Sequence, residues 1–93
     1  MKVDFNEVVL KNVEDVVINI PDFRKIIANT VYMNAKSIDL LELARKINAG
    51  PTDMTEAEIA ELKNLLTGDQ SPVMAFVKKA LLEYFDEVSE NGA

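Results

Sequence analysis

The fold turns on the stretch Val16-Val17-Ile18-Asn19-Ile20-Pro21-Asp22-Phe23-Arg24-Lys25-Ile26-Ile27, because the period of the apolar side chains changes within it. Up to Ile20, Cβ-branched residues crowd together, which favours extended backbone. Beyond Pro21, Phe23, Ile26, Ile27, Thr30 and Val31 recur at three- and four-residue steps, with Arg24, Lys25 and Asn29 on the opposite side. That spacing predicts an amphipathic helix over Asp22 to Met33. An extended segment followed directly by a helix makes the chain α+β.

On the N-terminal side of this boundary, eight of the first twenty residues are Val or Ile, and none of the twenty is Gly or Pro. Two arms, Lys2 to Leu10 and Val16 to Ile20, flank the polar stretch Lys11-Asn12-Val13-Glu14-Asp15, which can turn the chain. A β-hairpin over residues 1–20 is expected. A lone two-stranded hairpin is barely stable in water, so it must lie on the helices or pair with another chain.

On the C-terminal side, three more helices are marked by their ends. Ser37 can cap a helix that carries Leu40, Leu41, Ala44 and Ile47 on one stripe and stops at Gly50-Pro51. Thr55 with Glu58 forms a capping box ahead of Ile59, Leu62, Leu65 and Leu66, and Gly68 ends that helix. Ser71-Pro72 has the cap-then-first-position order for a last helix that runs to about Val88. The expected layout is one domain: a hairpin over 1–20, four short helices over 22–88 and a frayed tail over 89–93.

Composition narrows the chemistry. The 93 residues are 48% hydrophobic and 28% charged, the balance of a soluble globular chain. Cys, His and Trp are absent, which excludes thiolate nucleophiles, disulfides, His-based acid/base catalysis and Cys/His metal centres. No cofactor is expected. The opening residues include Asp4 and Glu7 and lack a basic, apolar leader, and the longest apolar run, Val73 to Val77, is far short of the ~20 residues that span a bilayer. A cytoplasmic protein without membrane contact is the expectation.

The net charge of −6 is unevenly placed. Residues 1–36 hold five bases and five acids, whereas five bases face eleven acids from Ser37 onward. Such a surface repels phosphate, so direct nucleic-acid binding is not expected.

Several constellations resolve into local roles. Asp53, Thr55, Glu56 and Glu58 lack the ligand register of a calcium loop, and fit first-turn acids at the positive end of a helix dipole. Ser37-Ile38-Asp39-Leu40 shares a helix-start Ser with the acyl-carrier attachment motif, but Lys36 stands where that motif has an acid, which leaves N-capping. Glu56, Glu58 and Glu61, like the Asp86-Glu87 pair, sit on expected solvated faces, and Gly50, Gly68 and Gly92 form no phosphate loop. The chain is therefore not expected to be an enzyme.

What remains is the last helix. Val73, Met74, Phe76, Val77, Ala80, Leu81, Leu82, Tyr84, Phe85 and Val88 cover more than the ~100° stripe of a one-sided helix. Either this helix is wrapped by the others, or part of its circumference, around Phe76, Leu82, Tyr84 and Phe85, meets another protein chain, including a second copy. The expected function is a non-enzymatic protein–protein interaction module. The alternative is an acidic inhibitor or nucleic-acid mimic that occupies a basic groove on an enzyme.

The opening Met1-Lys2-Val3-Asp4-Phe5-Asn6, the helix with Leu41-Glu42-Leu43-Ala44-Arg45-Lys46-Ile47, and Met54-Thr55-Glu56-Ala57-Glu58-Ile59-Ala60-Glu61-Leu62-Lys63 together resemble, in layout, small acidic proteins encoded in bacteriophage and prophage genomes. The resemblance implies a mobile-element origin and action in a host cytoplasm. It assigns no role to any residue.

Overall fold

The computed structural model describes residues 1–91 and has the α+β architecture the sequence predicts. Its elements are β1 (Lys2–Val3), a 3-10 turn (Phe5–Glu7), β2 (Leu10–Lys11), β3 (Val17–Ile18), α1 (Phe23–Asn34), α2 (Ile38–Ala49), β4 (Thr52–Asp53), α3 (Glu56–Thr67) and α4 (Ala75–Asn91). The Cα radius of gyration, 12.5 Å, agrees with the ~12 Å that scaling gives for this length.

The hairpin is present but smaller than its apolar pattern suggests. β2 pairs antiparallel with β3, Leu10 opposite Ile18 and Lys11 opposite Val17. The expected first arm breaks after Val3, because Asp4 caps a 3-10 turn by accepting from the Asn6 amide at 3.0 Å. β1 then leaves the hairpin and pairs antiparallel with β4, Lys2 opposite Asp53 and Val3 opposite Thr52. Met1 closes this clip: its carbonyl accepts from the Met54 amide at 2.8 Å, and its amine donates to the Met54 carbonyl at 3.0 Å. Two distant stretches are thereby joined under the helices, and Val3 and Phe5 enter the core.

Each helix buries one stripe. α1 contributes Phe23, Ile27, Ala28 and Val31, and α2 contributes Leu40, Leu43, Ala44 and Ile47. Ile26 and Leu41, expected inward, are exposed and half-buried, and the core positions go to Ala28 and Leu43, two residues along in each helix. α3 buries Ile59, Leu62 and Leu66, with Leu65 partly covered. α1 packs chiefly on α2, and α4 on α3 and β2.

The ends follow local chemistry with three exceptions. Ser37 Oγ accepts from the Leu40 amide at 3.2 Å, and Thr55 and Glu58 close a reciprocal capping box at 2.9 and 3.2 Å. At α1, however, Asp22 adopts left-handed backbone (φ 56°) and its side chain makes no cap. Asn6 takes that place from eighteen residues away, its Oδ1 accepting from the Arg24 amide at 2.8 Å. At α4, Ser71 is not the cap. Its hydroxyl donates to the Leu66 carbonyl at 2.6 Å and accepts from the Val73 amide at 3.2 Å, so it is engaged with the end of α3 and α4 begins only at Ala75. At the far end α4 continues through Ser89 and Glu90, which are helical where fraying was expected; residues 92 and 93 of the expected tail lie outside the described residues.

Among the described residues, no helix is long and apolar enough to cross a membrane.

Candidate interaction surface

α4 is 17 residues long, about 25 Å at the helical rise. Ala80, Leu81, Tyr84, Phe85 and Val88 form its buried stripe, and Val73 and Val77 pack partly against the core. The helix is neither fully wrapped nor apolar all round. Met74, just before it, and Phe76 and Leu82 within it remain exposed.

The four expected interaction residues therefore divide. Tyr84 (6% exposed) and Phe85 (1%) are core residues and leave the candidate surface, a correction that follows from their position on the buried stripe. Phe85 meets Phe5 edge-on at 5.9 Å between centroids, and Tyr84 lies 6.0 Å from Phe5. The Tyr84 hydroxyl accepts from the Asp4 amide at 2.8 Å, tying α4 to the chain's first turn. Burial, reinforced by the negative charges of Glu7, Asp4 and Glu87 and opposed by that hydrogen bond, raises the Tyr84 phenol above its ordinary value.

Phe76 (44%) and Leu82 (37%) are open, yet they do not share a face. Six residues at 100° each place Leu82 about 120° around the helix from Phe76. Phe76 instead aligns with Lys79, Ala80 and Glu83, the i, i+3, i+4, i+7 row, and these form one wall of an open groove of about 710 Å³. The hairpin supplies the other wall through Val9, Lys11, Asn12, Val13, Asp15 and Ile18.

The hairpin is anchored on one side and unattached at its tip. Leu10 is buried, and Val8, Ile18 and Ile20 are partly so. The tip is fixed by its own bonds: Asn12 Oδ1 accepts from the Glu14 and Val16 amides at 2.9 and 3.1 Å, the Asn12 amide donates to Val16 at 3.0 Å, and the Asp15 amide donates to the Asn12 carbonyl at 3.0 Å. Asp15 supplies the left-handed residue that the turn needs (φ 60°). This tip holds Val13 98% exposed, beside open Val9, Val16 and Val17. An apolar residue inside the polar turn stretch was the available sequence signal for this wall.

Charge on the groove is balanced, Lys11 and Lys79 against Asp15 and Glu83. Among the described residues, no buried side-chain N or O atom lacks a hydrogen-bond partner. Further depressions lie elsewhere: about 440 Å³ at the α3–α4 connection, touched by Glu61, about 280 Å³ beside Asn6, Asp22, Arg24, Lys25 and Asn48, and about 210 Å³ between α1 and α2 beside Tyr32 and Arg45.

The remaining sequence candidates occupy structural positions. The Ser37 hydroxyl is an N-cap, Thr55 and Glu58 are held by their capping box, and Asp53 lies in β4. Asp86 reaches Lys63 at 4.0 Å on an open face. Among the described residues, no three acidic side chains converge as metal ligands would. Searches of family models, curated proteins and solved structures give no significant match to this chain.

Proposed function

We propose that this chain is a non-enzymatic protein-docking module of phage or prophage origin, acting in a host cytoplasm, whose contact surface is the groove between the hairpin tip and the first half of α4. The observation that carries this reading is the placement of a solvent-exposed Val13 and a half-open Phe76 on the two walls of one groove. Apolar side chains that add little to the monomer's core gain free energy only when a second surface covers them, at roughly 25 cal/mol per Å². The mobile-element origin rests on the resemblance in layout.

A photocrosslinking side chain placed at Val13 or at Phe76, in cells that naturally express the chain, tests the docking surface. Protein adducts are expected at both positions well above those from the same group at exposed Glu56 in α3. Equal yields at all three positions overturn it.

A second reading, an acidic mimic, is favoured by one observation. Glu83, Asp86, Glu87 and Glu90 fall along one side of α4, whose last turn has no basic residue. Partner binding that weakens steeply with salt, and is lost on reversing these charges but not on changing Val13, would select this reading.

A further inference from the structure

We infer that residues 1–7 form a strap that opens as one unit, hinging at Val8 and Val9, while the helix pairs α1–α2 and α3–α4 stay folded.

The strap holds three separate parts of the chain. The Met1 carbonyl accepts from the Met54 amide at 2.8 Å, beside the β1–β4 pairing. The Asp4 amide donates to the Tyr84 hydroxyl of α4 at 2.8 Å, and Asn6 Oδ1 accepts from the Arg24 amide of α1 at 2.8 Å. Asp4 also binds its own turn, Oδ1 accepting from the Asn6 amide and the carbonyl from the Glu7 amide, each at 3.0 Å. The same Oδ1 takes Arg24 Nη1 at 3.3 Å. Asp4 to Glu7 therefore moves as a block, and buried Val3 and Phe5 stand on either side of Asp4. Withdrawing Phe5 from Tyr84 and Phe85 breaks the bonds to α1 and α4 together, and it pulls β1 away from β4.

What stays behind has packing of its own. α1 packs chiefly on α2, and α3 on α4. These pairs bury Ile27, Val31 and Ile47 on one side and Leu62, Leu66 and Leu81 on the other, none of them supplied by the strap. Release bares Val3, Phe5 and the faces of Tyr84 and Phe85 that meet Phe5, whereas global unfolding bares these and every helix stripe. The strap therefore opens at a lower free energy than the whole domain. Exposure places the hinge: Glu7 and Val9 are open, Val8 is half-buried, and Leu10 is buried again in β2, which β3 and α4 hold.

Native-state hydrogen exchange of the full chain, followed by NMR in graded sub-denaturing urea, tests this. The Asp4, Arg24 and Met54 amides lie far apart in the chain, yet they are expected to converge on one opening with one urea dependence. That opening should be at least about tenfold more populated than the one that frees the Leu43 and Leu66 amides inside α2 and α3. A staple supplies the second measurement. Lys2 and Asp53 are exposed and directly opposite in the β1–β4 pair, where Cα atoms lie about 4.5–5.5 Å apart, and the chain has no cysteine of its own. Lys2→Cys with Asp53→Cys, oxidised, should raise the protection of all three amides to that of Leu43 and Leu66, and reduction should restore the common opening.

Three unrelated urea dependences overturn the inference, as does protection that matches Leu43 and Leu66 without the staple. A staple that protects Met54 alone also overturns it, because the strap then frays from one end instead of leaving as a block.

Discussion

Replacing Asn6 with Ala should destabilise a helix that begins seventeen residues later in the chain. Asn6 Oδ1 receives the Arg24 amide at 2.8 Å, in the first turn of α1, where the residue that would ordinarily cap, Asp22, is left-handed and contributes no side-chain bond. Loss of an N-cap costs ~0.5–2 kcal/mol, and water can reach this exposed site, so about 1 kcal/mol is expected. For a domain of this size that lowers Tm by roughly 4–8 °C. Urea denaturation followed by far-ultraviolet circular dichroism should show a lower midpoint with an unchanged slope, since the buried surface is the same. Amide exchange should accelerate at Arg24 and its first-turn neighbours and stay unchanged in α3, whose capping box is independent. If the midpoint does not move, or if protection falls equally in α1 and α3, then Asn6 is not the cap of α1 and the account of that helix's start is wrong.

Tyr84→Phe should cost about 1 kcal/mol at neutral pH, because it leaves the Asp4 amide without its 2.8 Å partner. The same substitution has a pH signature. Burial raises the folded phenol above its ordinary ~10, so the stability tied to the neutral form is fully present below pH 10 and is lost as pH rises through the folded value. The wild-type minus Phe difference in melting temperature should therefore shrink or reverse above pH 10, and a pH-independent difference would contradict the burial argument. Leu81→Ala, at a fully buried position, should cost ~2–5 kcal/mol, whereas Leu82→Ala next to it should stay within about 1, and equal losses in chemical denaturation would mean that the buried stripe of α4 is misplaced. Gly68→Ala should destabilise the end of α3, because a Cβ there would lie 2.5 Å from the Asn64 carbonyl oxygen; a melting temperature at or above wild type would show that this close approach is not fixed.

What the sequence made legible depended on how far each partner lay along the chain. The Ser37 cap and the Thr55–Glu58 box were readable because donor and acceptor are three residues apart. The partner of β1 was not: Val3 and Phe5 alternate as in a strand, and the strand that β1 pairs with once Asp4 has broken the arm, Thr52–Asp53, lies some fifty residues later. Gly68 was read correctly as a stop but for a different cause. Its φ of −70° is ordinary, and the need for glycine comes from the approach to Asn64, whereas Gly50, at φ 154°, does use the conformational freedom of glycine. The candidate surface was half legible. Helical periodicity marked an apolar arc on α4, but where α3 and β2 cover that arc is set by packing, which moved Tyr84 and Phe85 inside and left Phe76 out. Val13 was passed over because it stands within a stretch read as a turn.

The separation between what holds this fold and what its open face presents bears on how the module would work. The side chains that join distant segments, Phe5, Tyr84 and Phe85, are buried and mutually in contact, and none of the tip's exposed valines is among them. A substitution at Val13 should therefore alter association without altering the fold. On the docking reading, Lys11 and Lys79 offset Asp15 and Glu83 on the hairpin–α4 face, so that face adds little net attraction or repulsion to an approaching partner. Salt has little net charge to screen there, so apolar docking should vary little with ionic strength. Steep weakening would instead locate the interface on Glu83, Asp86, Glu87 and Glu90 of α4, whose like charges lie a turn apart and would be relieved by a basic partner.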